Sequence, residues 1–242
     1  MKEFTVVMSL IDYIPVALFE AATVILIRDM YNKMSKGAFA LFAAGTIDVI
    51  CAGLLKATYK LMYALGLCDF EALSNVFFPM QSLGFMLAGV GMLALLCHKQ
   101  TASTEEPKSP NKTTTLISFA FLVFAVISLL CKGDNKTGVA PAYFSGTFVF
   151  VALMIIGLAL MDAGLCVMAK KVGKPALIAL FVLSFFLCLG MGYLSSRDFT
   201  GAAMNWIAEC VNTCGQGTLL LGAILLHKNG FEELRLRGEV VA

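Results

Sequence analysis

Charge is what this sequence most conspicuously lacks. Of its 242 residues only 14% are charged and 59% are hydrophobic, and the mean hydropathy is +0.85. A soluble domain of this size needs far more polar surface, so the composition excludes one and points to an integral membrane protein. Histidine occurs twice, as His98 and His227, and tryptophan once, as Trp206. No HExxH, G-x-S-x-G or repeated HxxxH pattern occurs on any apolar run, so no metal cluster or activated nucleophile can be read from the chain. The eight cysteines include no CxxC pair and no zinc spacing. Cys68 and Cys131 both fall at the same side of the expected membrane, which leaves a disulfide between them open. The net charge of +2 forms no patch for nucleic acid. We therefore expect no catalytic residues, no metal and no cofactor.

Long apolar runs are what the sequence has in abundance. They fall at 7–28, 37–61, 73–97, 114–131, 143–169, 175–195 and 202–227. Runs of about 20 residues cross roughly 30 Å of hydrocarbon as helices. The expected fold is all-α and integral to the membrane, with seven transmembrane helices; a barrel would read as short alternating segments. One set of loops carries twelve basic residues (Arg28, Lys33, Lys36, Lys99, Lys108, Lys112, Lys170, Lys171, Lys174, Lys228, Arg235, Arg237) and the other only four (Lys2, Lys132, Lys136, Arg197). That bias predicts an outside N-terminus and a cytoplasmic C-terminus, in an inner or plasma membrane. The first run is too long for a cleavable signal, contains Asp12 and Glu20, and is followed rather than led by basic residues. It is expected to remain as the first helix.

The chain also repeats itself. ALFEAATVILIR (17–28) aligns without a gap to ALMDAGLCVMAK (159–170), with Glu20 opposite Asp162 and Arg28 opposite Lys170. KGAFALF (36–42) meets KPALIALF (174–181) with one insertion, and LLCHK (95–99) meets LLHK (225–228). Three matches in the same order predict a duplicated three-helix unit. The units are 1–98 and 143–228, separated by a flexible cytoplasmic linker at 99–113 and by a fourth helix with its outer loop at 114–142. A short tail, 229–242, follows. A shift of four helices keeps both units pointing the same way, so the repeat is parallel. This three-plus-one-plus-three plan with the N-terminus outside resembles the architecture of SWEET sugar transporters and the PQ-loop superfamily. The resemblance covers the helix plan only. The Pro-Gln pair of those families is not matched by IPVA in the first span, and PMQ (79–81) lies in the third. The resemblance implies transport of a solute and assigns no binding residue.

Ionisable side chains stand inside the apolar runs, among them Glu20, Asp48, Lys56, Asp162 and Glu209. Each costs about 2.5–3.5 kcal/mol at a helix centre on insertion scales, so all five are expected to face the bundle interior. In the last span Asn205, Glu209, Asn212 and Gln216 follow at intervals of four, three and four, a single helical face. That stripe predicts either a wet cavity or a polar seam between helices. Lys56 is the natural partner for Glu209, and Gln81 falls at similar depth. Glu20, Asp48 and Asp162 are candidates for a proton relay.

These features favour a transporter of a small polar solute, its cavity lined by the first, second, third, fifth and seventh helices. Proton coupling and facilitated diffusion both fit. The alternatives are a seven-helix receptor or sensor acting through a partner protein, and an intramembrane enzyme. The expected partners are the bilayer and the solute, not nucleic acid, and a homo-oligomer is compatible with the chain.

Overall fold

The computed structural model of the chain describes residues 5–70, 72–97, 146–194 and 202–234. Helix α1 (Val6–Ile11) opens where the Thr5 side chain accepts a hydrogen bond from the Met8 amide, 3.2 Å away. It gives way at Asp12 to α2 (Tyr13–Met30). The interruption sits just before Pro15, which has no N–H to offer the Ile11 carbonyl. Ser35 caps α3 (Lys36–Ala64) by accepting from the Ala38 amide at 3.3 Å. A single short turn, α4 (Ala72–Asn75), precedes α5 (Phe77–Cys97). After the undescribed stretch come α6 (Gly146–Lys171), a 3₁₀ turn (Pro175–Leu177), α7 (Ile178–Leu194) and α8 (Ala202–Leu226). A wide turn (His227–Phe231) ends α8, and Gly230 takes the left-handed conformation there, with φ of 88°.

Six stretches are long and apolar enough to cross a membrane: Val6–Met30, Lys36–Ala64, Ala72–Cys97, Val149–Lys171, Pro175–Leu194 and Ala203–Phe231. No strand occurs among the described residues. The protein is an all-helical, multi-pass membrane protein to that extent. The expected fourth span at 114–131, the linker at 99–113 and Cys131 lie outside the described residues.

The helices close into a ring in the order α2, α3, α5, α6, α7, α8 and back to α2. Glycines set the tightest crossings. A side chain at Gly45 of α3 would run into the main chain at Gly84 and Ala88 of α5, and one at Gly157 of α6 would run into Phe85 and Met86 of α5. The contacts also fix direction. Gly84 lies by Gly45 and Gly91 by Phe42, so α3 and α5 are antiparallel. Phe85 lies by Gly157 and Met92 by Gly164, so α5 and α6 are parallel, and Cys97 and Gly146 are at opposite ends of the bundle. Ser184 meets Gly215 and Phe181 meets Gly222, so α7 and α8 are antiparallel.

One apolar cluster draws on all six long helices, with Leu26, Phe42, Met92, Leu165, Phe181 and Leu226 each at most 1% exposed. These residues occupy the half of the bundle nearest Asp29. The half nearest Asp12 holds buried Asp12, Lys60 and Glu209.

Candidate functional site

At the Asp12 end, three helices bring three charges together. Lys60 of α3 holds Asp12 Oδ2 at 2.5 Å and Glu209 Oε1 of α8 at 3.4 Å, and all three side chains are 10% exposed or less. Asp12 is delivered by the break between α1 and α2, Lys60 by α3 just before its last turn, and Glu209 by the second turn of α8. Asp12 Oδ1 and Glu209 Oε2 find no hydrogen-bond partner. Buried acceptors left without a donor are costly, so this cluster is under-supplied with donors. Tyr13 supports it from below through a 2.9 Å hydrogen bond between its hydroxyl and that of Thr58.

Beside the cluster a cleft of about 260 Å³ opens on the bundle surface, lined by Ile11, Ile14, Trp206, Glu209, Cys210, Thr213 and Cys214. Its walls are apolar, and Ile14, Trp206, Cys210 and Cys214 are exposed along it. Glu209 is its only charged lining residue.

The expected site residues separate. Asn205 and Glu209 of the α8 stripe are buried, while Asn212 and Gln216 are half-buried. Gln216 Nε2 donates to the Cys188 thiol at 3.6 Å, and its Oε1 is unpartnered. Lys56, expected to meet Glu209, instead lays its ammonium 4.0 Å from the centre of the Phe77 ring. Lys60, one turn further along the same face, takes the carboxylates. Gln81 and Asp48 are half-buried and Glu20 is exposed, contrary to the expectation that every charge within the spans faces inward. The packed face of α2 is Phe19, Ala22, Thr23, Leu26 and Met30, and Glu20 lies about 100° around the helix from Phe19. Asp162 alone of the three relay candidates is fully enclosed, 3% exposed and with neither oxygen hydrogen-bonded. Glu20 and Asp162 therefore do not form a matched pair.

A second polar cluster, which sequence reasoning missed, ties α2 to α8 at the Asp29 end. His227 Nδ1 lies 3.1 Å from both Asp29 carboxylate oxygens, and Arg28 reaches His227 Nε2 at 2.8 Å. Arginine only donates, so Nε2 accepts and Nδ1 donates to Asp29. Lys33 donates to the main-chain carbonyls of Asp29 and Glu232, each at 2.7 Å, and lies 5.0 Å from the Phe231 ring centre. Burial pushes the Lys33 ammonium below the ordinary lysine range, against the pull of Asp29 and Glu232. Asp29, His227 and Glu232 have donor atoms within 4.8 Å of one another, a spacing a metal could use. Arg28 already contacts all three side chains, and its charge and that of Lys33 oppose a metal ion there. The signal for this cluster was the match of Arg28 to Lys170 and of LLHK to LLCHK, but only the register of α2 against α8 reveals it. His98 lies outside the described residues.

No family model matches the chain, and neither a curated protein nor a solved structure does.

Proposed function

We propose that this protein carries a small solute with a polar group across the membrane, and that the Asp12–Lys60–Glu209 cluster is its binding site. The observation that carries this reading is the pair of unpartnered carboxylate oxygens in a buried cluster supplied by three helices. A cluster serving only to pack helices would satisfy its own acceptors. Beneath it the apolar core fills the Asp29 half, and the Arg28–Asp29–His227 contacts latch α2 to α8 below that core. A site, a plug and a latch in series are what alternating access requires.

We further read the ring as two three-helix units, α2–α3–α5 and α6–α7–α8, related by a twofold axis along the membrane normal. Three features support this. Exchange of the units maps the α5–α6 contact onto α8–α2, and both are substantial. Buried Phe19, Ala22 and Leu26 correspond to buried Met161, Gly164 and Met168, with Glu20 and Asp162 the main mismatch. Phe42 and Phe181, opposite each other in the sequence match, both meet a glycine of the next helix, Phe42 by its main chain at Gly91 and Phe181 by its ring at Gly222. Parallel α5 and α6 also fit a further crossing between them, which makes seven. The described basic residues outside the spans, Lys33 and Lys174, both lie at the Asp29 end, supporting a cytoplasmic position for it.

Flux in proteoliposomes tests the function. A panel of amines, amino acids and sugars should include at least one solute that exchanges, and Lys60→Gln should abolish its flux while Glu20→Gln leaves it intact. Breaking a buried pair costs about 3–5 kcal/mol, so melting temperature is measured alongside. No flux for any solute, with large losses of stability in Lys60→Gln and Glu209→Gln, would assign the cluster to packing alone.

A further inference from the structure

The cleft and the cluster meet at one residue. Glu209 spans them: its Oε1 belongs to Lys60, while its unpartnered Oε2 sits on a side chain that lines the apolar cleft. Its side chain is nine-tenths buried, so water is a poor substitute partner. Asp12 lies within hydrogen-bonding reach of Glu209, and it too has one oxygen without an N–H or O–H donor. The two carboxylates share one cation, Lys60, which contacts one oxygen of each, while Lys56 lies over the Phe77 ring.

We propose that this cleft binds a protonated amine bearing a compact apolar body, and that such a cation is the solute of the cluster. The inference rests on reading the cluster as a binding site. An ammonium at the Glu209 wall would supply the donor that its Oε2 lacks. Its apolar body would lie against Ile11, Ile14 and Cys210, and the Trp206 ring is the aromatic face best suited to a cation. The cleft's volume of about 260 Å³ falls just below the roughly 300 Å³ at which drug-sized pockets begin, so the body is small. Other classes fit worse. An anion or the carboxylate of a zwitterion would be set beside Glu209, and a bare metal ion would find too few oxygens on these walls. The exposed rim lets the ligand enter from the side of the bundle, where an amphipathic amine partitions.

Trp206 is the only tryptophan in the chain, so its fluorescence reports on this cleft without a label. The full-length protein in lipid nanodiscs would be titrated at neutral pH with 2-phenylethylamine, with neutral 2-phenylethanol and with anionic 3-phenylpropanoate. The expected result is a saturable change with the amine, at least about tenfold weaker with the alcohol and absent with the carboxylate. Glu209→Gln should weaken the amine about tenfold or more, and Thr213→Phe should block it by filling the cleft while sparing every charge. Equal responses to amine and alcohol would overturn the proposal, leaving a groove for lipid or a proton shared by the carboxylates. Tighter binding of the carboxylate, or no saturable response in the wild type, would overturn it too. Should Glu209→Gln fail to fold, the three-ligand comparison and Thr213→Phe decide. Selective amine binding with no flux in proteoliposomes would refute transport and leave the site standing; flux without amine selectivity would do the reverse.

Discussion

Asp162 and Glu20 stand opposite each other in the sequence match of 159–170 to 17–28 and meet opposite surroundings. Asp162 is buried near Cys188 of α7 with neither oxygen bonded, so Asp162→Asn, which keeps the shape and removes the buried charge, should raise the unfolding temperature. The expected gain is on the order of 1–3 kcal/mol, the cost of an unsatisfied buried acceptor. Calorimetry in detergent checks it, and a fall would mean that an unseen partner holds the carboxylate. Glu20 is exposed on the apolar surface, so Glu20→Leu should leave the unfolding temperature unchanged or higher. The contrast also marks where the sequence was legible. The spacing of Asn205 and Glu209 put both on one face, and both are buried. The sequence pointed to Lys56 and passed over Lys60, four residues on along the same face, because the axial register of α3 against α8 is set by packing that no local pattern encodes. Asp12 hid at the edge of an apolar run, and its role depends on the break that Pro15 imposes.

Among the helices, length and hydropathy carried nearly everything. The runs expected at 37–61 and 175–195 correspond to Lys36–Ala64 and Pro175–Leu194, because an apolar stretch that must satisfy its own main chain in lipid has only the helix available. Which helices touch was not legible, since small residues decide it and small residues are common everywhere in the chain. The crossing of α5 and α6 illustrates this. Gly157→Ala would drive a methyl group into the main chain of Phe85 and Met86, whereas Gly190→Ala would place one 3.9 Å from Val211 Cγ1, an ordinary contact. The first should destabilise the protein by about 1–3 kcal/mol and the second hardly at all. Thermal unfolding of the two variants, side by side, is the check.

At the scale of the molecule, the proposed orientation is open to a direct test. In right-side-out vesicles a membrane-impermeant maleimide should label exposed Cys68, with the signal lost in Cys68→Ser, and should not label a cysteine placed at Lys174. The inverse pattern would turn the bundle over. Closure of the ring through α2 and α8 has a further consequence, which concerns synthesis. The ribosome makes α2 first among the long helices and α8 last, yet both charge clusters need the two together. Until residue 209 is in the membrane, Asp12 has only Lys60, and until residue 227 emerges, Asp29 has no histidine to meet. The chain must therefore stay unsealed in the bilayer for nearly the whole of its translation. A nascent chain halted before α8 presents an open seam with an incompletely paired acid at each end, the kind of surface that membrane quality control recognises.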